Sequence, residues 1–238
     1  MKVMVLIPAF NEEHTISSVI SEIRKHIPEA LVCVVNDGST DRTREVLDGI
    51  AGIRALHLPY NMGIGGAVWT GFHFFLNSGC DALVRLDGDG QHPPAQAGLL
   101  LEALAGGETD LVIGSRFLKK EGFQSSLTRR GGIKLLDVLT KLILRQKITD
   151  NTSGFRAYSR RAVAHLAEDY PFDYPEPIEV YLLARAGMGI REVPTRMVSR
   201  REGVSSIGLF RSYYYLVKVL LTIFVNFIYG RKHESLSD

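Results

Sequence analysis

Over residues 1–113 short apolar, β-branched runs alternate with longer helix-compatible stretches, and that order restricts the fold more than any other feature. The runs at 3–7, 31–35, 54–58, 82–86 and 111–113 have the length and composition of buried strands. Segments 12–26, 41–50, 65–77 and 94–104 lie between them and suit helices. A repeated strand–helix–strand order builds an α/β fold, a mostly parallel, Rossmann-like sheet with helices on both faces. Ligands of such sheets bind in the loops beyond the carboxyl ends of the strands. A chain of 238 residues with 45% apolar side chains can bury one large core. Its two cysteines, Cys33 and Cys80, make neither a disulfide framework nor a zinc site.

The loops at that edge are rich in polar chemistry. The first strand runs into Pro8-Ala9-Phe10-Asn11-Glu12-Glu13 and the second into Asn36-Asp37-Gly38-Ser39-Thr40-Asp41. The fourth runs into Asp87-Gly88-Asp89-Gly90-Gln91-His92-Pro93-Pro94, and the fifth into Gly114-Ser115-Arg116. Carboxylates recurring along one edge repel one another unless a cation joins them. Asp87 and Asp89 sit two residues apart in a glycine-bearing turn, with the side-chain oxygen of Gln91 two further on. That set suits a hard divalent cation, which also bridges phosphate oxygens. An isolated Asp-x-Asp is more often a solvated turn; the preceding strand and Gln91 favour the metal.

Ser39, Thr40 and Asp41 have the character of a helix cap, which leaves Asp37 to meet a ligand. Glu12 and Glu13 suit a helix start, while the Pro8-Ala9 backbone can line a pocket. The loop Asn61-Met62-Gly63-Ile64-Gly65-Gly66 fits neither the Walker nor the dinucleotide fingerprint. Arg116 stands where a pyrophosphate partner would, although surface arginines are common. His92 is either a metal ligand or a turn residue ahead of two prolines. In Tyr174-Pro175-Glu176-Pro177-Ile178-Glu179, Glu176 is the functional candidate and Glu179 a helix-face residue. A helix at 178–186 and a strand at 190–198 are expected next.

Five ordered motifs, Pro-Ala-Phe-Asn-Glu-Glu (8–13), Asn-Asp-Gly-Ser-Thr-Asp (36–41), Asp-Gly-Asp-Gly-Gln-His-Pro-Pro (87–94), Gly-Ser-Arg-Phe (114–117) and Thr-Ser-Gly-Phe-Arg (152–156), together resemble glycosyltransferase family 2. Within it the sequence is most similar to the dolichyl-phosphate mannose synthase group and bacterial polyprenyl-phosphate sugar transferases. The likeness implies a GT-A fold, a nucleotide-diphosphate sugar donor, Mg2+ or Mn2+, and inversion at the anomeric carbon. It implies that Pro8, Ala9, Glu12 and Asp37 hold the nucleoside, that Asp87 faces ribose and metal, and that Asp89 and Gln91 bind metal and diphosphate. Arg116 matches the family's Gly-Ser-Arg arginine, and Arg200 an arginine that meets the phosphates. Asp150, Ser153, Gly154, Phe155 and Arg156 match the stretch that closes the acceptor side. The mannose synthases carry a lysine where Ser206 stands, so one phosphate contact is missing and a mannose donor is less secure.

Catalysis then falls to Asp89, Arg116 and Arg200, with Glu176 as the base if the acceptor is a sugar hydroxyl. Three functions stay open at this point: transfer to polyprenyl phosphate, transfer to a hydroxyl of a growing glycan or lipid-linked oligosaccharide, and a non-catalytic nucleotide-sugar-binding scaffold. The intact Asp-Gly-Asp-Gly-Gln set weighs against the last.

Charge divides the chain. The net is only +2, which argues against a nucleic-acid partner. Yet residues 1–118 hold 8 basic and 14 acidic side chains (−6), and residues 148–190 hold 4 and 6 (−2). Residues 119–147 hold 8 and 2 (+6), and residues 191–238 hold 8 and 4 (+4). A basic amphipathic helix is expected at 133–147 and an aromatic-rich one at 209–229. The apolar core of the latter is at the lower limit for a membrane span and contains Lys218. The expected organisation is a catalytic domain at 1–208 and an amphipathic helix and tail at 209–238. These basic faces suit peripheral attachment to the inner face of the cytoplasmic membrane, a small integral membrane partner, or self-association. The opening run, ended by Pro8, is shorter than a signal-peptide core, so a cytoplasmic start is expected.

Overall fold

Strand β1 (Val3–Ala9) is the axis of the sheet, with β2 (Leu31–Asn36) on one side and β4 (Ala82–Arg85) on the other, both parallel to it. The computed structural model describes residues 1–118, 148–168, 170–173 and 175–197; the helices expected at 133–147 and 209–229, and Arg200, lie outside them. Beyond β2 comes β3 (Arg54–His57), and beyond β4 come β6 (Arg156–Ser159), β5 (Leu111–Ser115) and β7 (Ile190–Pro194). The order is β3-β2-β1-β4-β6-β5-β7, with β6 antiparallel to both neighbours and every other pairing parallel. The chain winds outward from β1 to β3 and then returns to place β4 on the other flank. The reversal opens a crevice at the carboxyl ends of β1 and β4, where open α/β sheets bind their ligands.

Alternation along β1 sorts the core into two layers. Met4 and Leu6 face α3 (Gly63–Asn77), α5 (Arg160–Glu168) and α6 (Pro175–Arg185), packing with Phe72, Phe75, Val163 and Val180. Val5 and Ile7 face α1 (Ile16–His26) and α4 (Ala97–Ala105), packing with Ile16, Ile20, Ile23 and Leu100. Both faces are covered, so β1 is apolar without a break, as parallel strands are. Helix α2 (Thr43–Asp48) completes the set.

The mostly parallel sheet and its first five strands agree with the expected pattern. Two elements were not expected, β6 and α5. Strand β6, Arg-Ala-Tyr-Ser, lacks the apolar run of its neighbours because its polar groups are satisfied inside the protein. Helix α6 starts at Pro175, ahead of the expected 178, with both Pro175 and Pro177 in its first turn. There the amide hydrogens have no intrahelical acceptor and proline costs nothing. Strand β7 stops at Pro194, short of 198.

Register sets Arg85 of β4 directly opposite Arg156 of β6, and both side chains are at most 1% exposed. Two adjacent buried guanidinium groups require carboxylates. Glu179 of α6, fully buried, supplies one: its Oε1 accepts from Arg85 Nη1 at 3.3 Å and its Oε2 from Arg156 Nη1 at 2.7 Å. Tyr158 donates to Oε2 at 2.7 Å and Tyr170 donates to Oε1. Glu176 supplies the second carboxylate, to Arg85 Nη2. Burial pushes the Glu179 carboxyl up, but Arg156 and Arg85, with both tyrosine hydroxyls, outweigh it and hold its pKa below the ordinary value. Glu179→Gln is expected to lower folding stability by about 3–5 kcal/mol in urea melts, because two buried arginines then share one carboxylate. A carboxyl whose folded pKa is depressed stabilises fully above its unfolded value, ordinarily 4.5, and loses that contribution as pH falls through the folded value. Wild-type stability should therefore fall more steeply below pH 4.5 than that of the Gln variant.

Candidate functional site

At the β1/β4 crevice a cavity of about 350 Å3 is lined by Pro8, Ala9, Glu12, Asp37, Asp87 and Asp89, together with Phe10 and the 61–67 loop. Six residues expected at the donor thus meet in one place, although they come from three loops. The first two loops are stitched together. Asn11, in the left-handed region at φ 57°, accepts the Thr40 N–H on its Oδ1 at 2.8 Å and donates its own N–H to Ser39 Oγ at 3.0 Å. The Glu12 N–H donates to Thr43 Oγ1 at 2.8 Å, and the Glu13 carboxylate accepts from the Arg42 backbone and guanidinium. Asp41 serves the start of α2, accepting the Thr43 N–H, as expected of a cap. Ser39 and Thr40 instead hold Asn11 across the crevice.

Asp37 is buried beside this seam, and its Oδ1 accepts the Met62 N–H at 2.7 Å. Burial raises its pKa above the ordinary 3.8, against the lowering effect of the Met62 and Gly63 amides. The neighbouring Gly38, at φ +62°, presses against Tyr60, where a Cβ would lie 2.5 Å from the carbonyl carbon. Only glycine allows the 36–41 loop to meet the 60–63 loop so closely.

The Asp87–Gln91 turn forms the other wall. Asp89 is 6% exposed and its Oδ1 accepts the Gln91 N–H at 3.0 Å. Asp87 Oδ1 is buried without a hydrogen-bond partner, and Gly154 lies behind it: a Cβ at 154 would sit 3.0 and 3.1 Å from its two carboxylate oxygens. A buried orphan carboxylate oxygen is costly unless a ligand completes it. Among the described residues no cluster of three or more His, Cys, Asp or Glu side chains could hold a metal by itself. The two carboxylates suit a cation that takes its remaining ligands from phosphates and water, as Mg2+ does, whereas Gln91 does not line the cavity.

Beyond β5 the geometry joins residues that the sequence had assigned to different roles. Arg116 forms a two-pronged pair with fully buried Asp150, Nε to Oδ2 at 2.7 Å and Nη2 to Oδ1 at 2.6 Å, and Nη2 also donates to Thr152 Oγ1 at 2.7 Å. Glu192 of β7 anchors the approach by accepting the Thr149 and Asp150 N–H groups at 2.8 and 2.9 Å. Ser153 donates to the Gly114 carbonyl at 2.7 Å, and Phe155 packs in the core. Arg156, fully buried, caps the same loop from beneath: Nε donates to the Ser153 carbonyl at 2.7 Å and Nη2 to that of Asn151 at 3.0 Å. It therefore shapes the 150–155 loop from inside the core. Glu176, the candidate base for a hydroxyl acceptor, is ion-paired with Arg85.

Arg85 and Glu192, which carry much of this arrangement, were not singled out in the sequence, and Glu179, read there as a helix-face residue, is fully buried. Arg85 had a signal, being a charge inside an otherwise apolar strand run. A second cavity, about 600 Å3, lies between α4 and β7 and is lined by Arg116, Arg191 and Arg196 and by Glu102, with Leu99, Val193 and Thr195.

With this geometry in hand, comparison with known proteins is direct. The chain matches the sequence model of glycosyl transferase family 2 over residues 4–167. It is 35% identical over 219 residues to an undecaprenyl-phosphate mannosyltransferase of Micrococcus luteus, covering 87% of this chain and 88% of the relative. The UDP-N-acetylglucosamine–dolichyl-phosphate N-acetylglucosaminyltransferase of Methanococcus voltae is 27% identical over 238 residues, covering 90% and 94%. Among solved structures, glucosyl-3-phosphoglycerate synthase of Mycobacterium tuberculosis, crystallised with Mn2+, UDP and phosphoglyceric acid, aligns with a TM-score of 0.69. That alignment covers 93% of this chain and 78% of the other at 23% identity, a likeness of fold. The chain belongs to glycosyl transferase family 2 and is a glycosyltransferase with the GT-A fold.

Proposed function

We propose that this enzyme transfers a sugar, with inversion, from a nucleoside-diphosphate sugar to polyprenyl phosphate. The observation that carries the acceptor reading is the state of the carboxylates. Asp150 is paired with Arg116 and Glu176 with Arg85, so the two acids of the acceptor side are engaged by arginines. A sugar hydroxyl needs a base to remove its proton, whereas a lipid phosphate is already anionic near neutral pH. The cavity between α4 and β7 sets three arginines against one carboxylate, Glu102, on the Arg116 side, and the names of the relatives from Micrococcus and Methanococcus point to the same acceptor class.

In this reading Pro8, Ala9, Glu12 and Asp37 hold the nucleoside, and Asp87, Asp89 and Gln91 hold Mg2+ or Mn2+ against the donor diphosphate. A divalent cation bound there neutralises charge on the departing nucleoside diphosphate. An acceptor phosphate oxygen forms the new bond to the anomeric carbon as the bond to the donor's β-phosphate oxygen breaks on the opposite side, which inverts the centre. The nucleoside diphosphate leaves with that electron pair. Arg116 and Arg200 add positive charge near the phosphates, with Arg116 oriented by Asp150. Residues 1–208 form the catalytic domain, and the basic, apolar 209–238 segment attaches it to the cytoplasmic face of a membrane, directly or through a small membrane partner or a second copy. Among the described residues no helix is long and apolar enough to cross a membrane.

The deciding experiment follows labelled sugar from UDP-, GDP- and dTDP-sugars into undecaprenyl phosphate, with free glycan acceptors alongside. Transfer to the lipid phosphate that needs Mg2+ or Mn2+ is expected; transfer confined to glycan hydroxyls overturns the acceptor. Asp89→Asn is expected to keep its melting temperature and lose at least about 100-fold in turnover. Gly154→Ala places a methyl group against the Asp87 carboxylate. It should raise KM for the donor several-fold, and an unchanged KM would remove Gly154 from the donor wall.

A further inference from the structure

We propose that His92 is a positioning residue for sugar transfer: its Nδ1 lone pair holds the backbone of Asp87, which aims the Asp87 and Asp89 carboxylates into the crevice. The inference rests on the metal–nucleotide reading of that crevice. The Asp87 N–H donates to His92 Nδ1 at 3.0 Å. A backbone amide can only donate, so Nδ1 carries the lone pair and the ring proton of neutral His92 is on Nε2. The ring is 2% exposed and stacks on Phe155, with centroids 5.4 Å apart and planes 14° from parallel.

This contact closes the Asp87–Gln91 turn from within. Donor and acceptor are five positions apart, Gly90 supplies the left-handed step at φ +74°, and the Gln91 N–H ties back to Asp89 Oδ1. Pro93 restricts the backbone of His92, and Pro94 opens the short 3-10 turn that leads into α4. The turn is thereby fixed at both ends, with Gly154 and Phe155 as its floor.

What His92 leaves alone matters as much. Its Nδ1 is 3.7 Å from Asp87 Oδ2, beyond hydrogen-bond reach, and the lone pair there offers the carboxylate nothing. An arginine or lysine in this place would pair with Asp87 and compete with a cation. A neutral ring acceptor orders the main chain and leaves both Asp87 oxygens to a ligand. Outer groups that orient metal-binding carboxylates commonly contribute 10–100-fold in metal affinity.

The test uses two substitutions in the full-length protein. His92→Phe keeps a flat ring on Phe155 and removes the acceptor. His92→Asn removes the ring and restores an acceptor, because Asn Oδ1, like His Nδ1, is bonded to Cγ. Mn2+ affinity is read by EPR of the free aquo-ion in the presence of UDP or GDP, beside melting temperature and the kcat and KM of transfer. The Phe variant should fold and bind Mn2+ about 10–100-fold more weakly, with a raised donor KM. The Asn variant should bind Mn2+ within about threefold of wild type whatever its melting temperature. Wild-type affinity in the Phe variant, or equal loss in both, overturns the positioning role. If the Phe variant does not fold, the Asn variant decides: retained Mn2+ affinity supports the acceptor role, and weakened affinity overturns it. Failure of wild-type protein to bind Mn2+ with either nucleotide overturns the underlying reading of the crevice instead.

Discussion

Two arginines that face each other across adjacent strands, both sealed from water, are the constraint on which this structure turns. Neither can be buried without a carboxylate, and neither can move without exposing the other's charge. Glu179 meets both, so α6 is locked to β4 and β6 at one point. Strand β4 runs directly into the Asp87–Asp89 turn, and β6 begins where the 150–155 loop ends. The Asp87–Gln91 turn and the 150–155 loop are therefore two extensions of one buried ionic cluster. Arg156 makes the link explicit, with Glu179 on one nitrogen and the carbonyls of Asn151 and Ser153 on the others.

The carboxyl edge of the sheet applies the same rule at larger scale. Acidic side chains gather there, and most of them are satisfied within the protein: Asp37 by Met62, Asp41 by Thr43, Glu13 by Arg42, and Asp150 by Arg116. Asp87 is the exception, with a buried oxygen that has no hydrogen-bond partner. Of these acids Asp87 alone keeps a buried oxygen open to a ligand.

How much of this was legible in the sequence depended on the range of the interaction. The parallel strands were readable because both faces of each are covered, which demands unbroken apolar runs such as Val-Cys-Val-Val at 32–35. The Asp-x-Asp turn was readable because its residues are neighbours. Strand β6 was not: Arg156 and Tyr158 look like surface residues until Glu179, more than twenty positions away, is brought beneath them. Nor did the sequence announce that Arg116, expected at the donor, and Asp150, expected on the acceptor side, form one pair 34 positions apart. Nothing local announces the pairing of Glu176 with Arg85 either. Asn11 looked like a loop residue, and its left-handed backbone and hold on Thr40 appear only in three dimensions.

The placement of β6 also bears on how the chain is made. Ala157 pairs with Val84 on one side and Val112 on the other, so the central strand of the second half of the sheet is the sixth to be synthesised. Until it emerges, β4 has an open edge and β5 has no partner at all, because β5 pairs only with β6 and β7. A nascent chain that has reached residue 118 holds β1–β4 as a sheet with an unprotected margin, the form of strand edge that recruits other chains. Completion waits on about forty further residues, since β6 follows β5 only at residue 156. The two halves of the sheet are joined only through β6, which lies between strands that precede it in the chain.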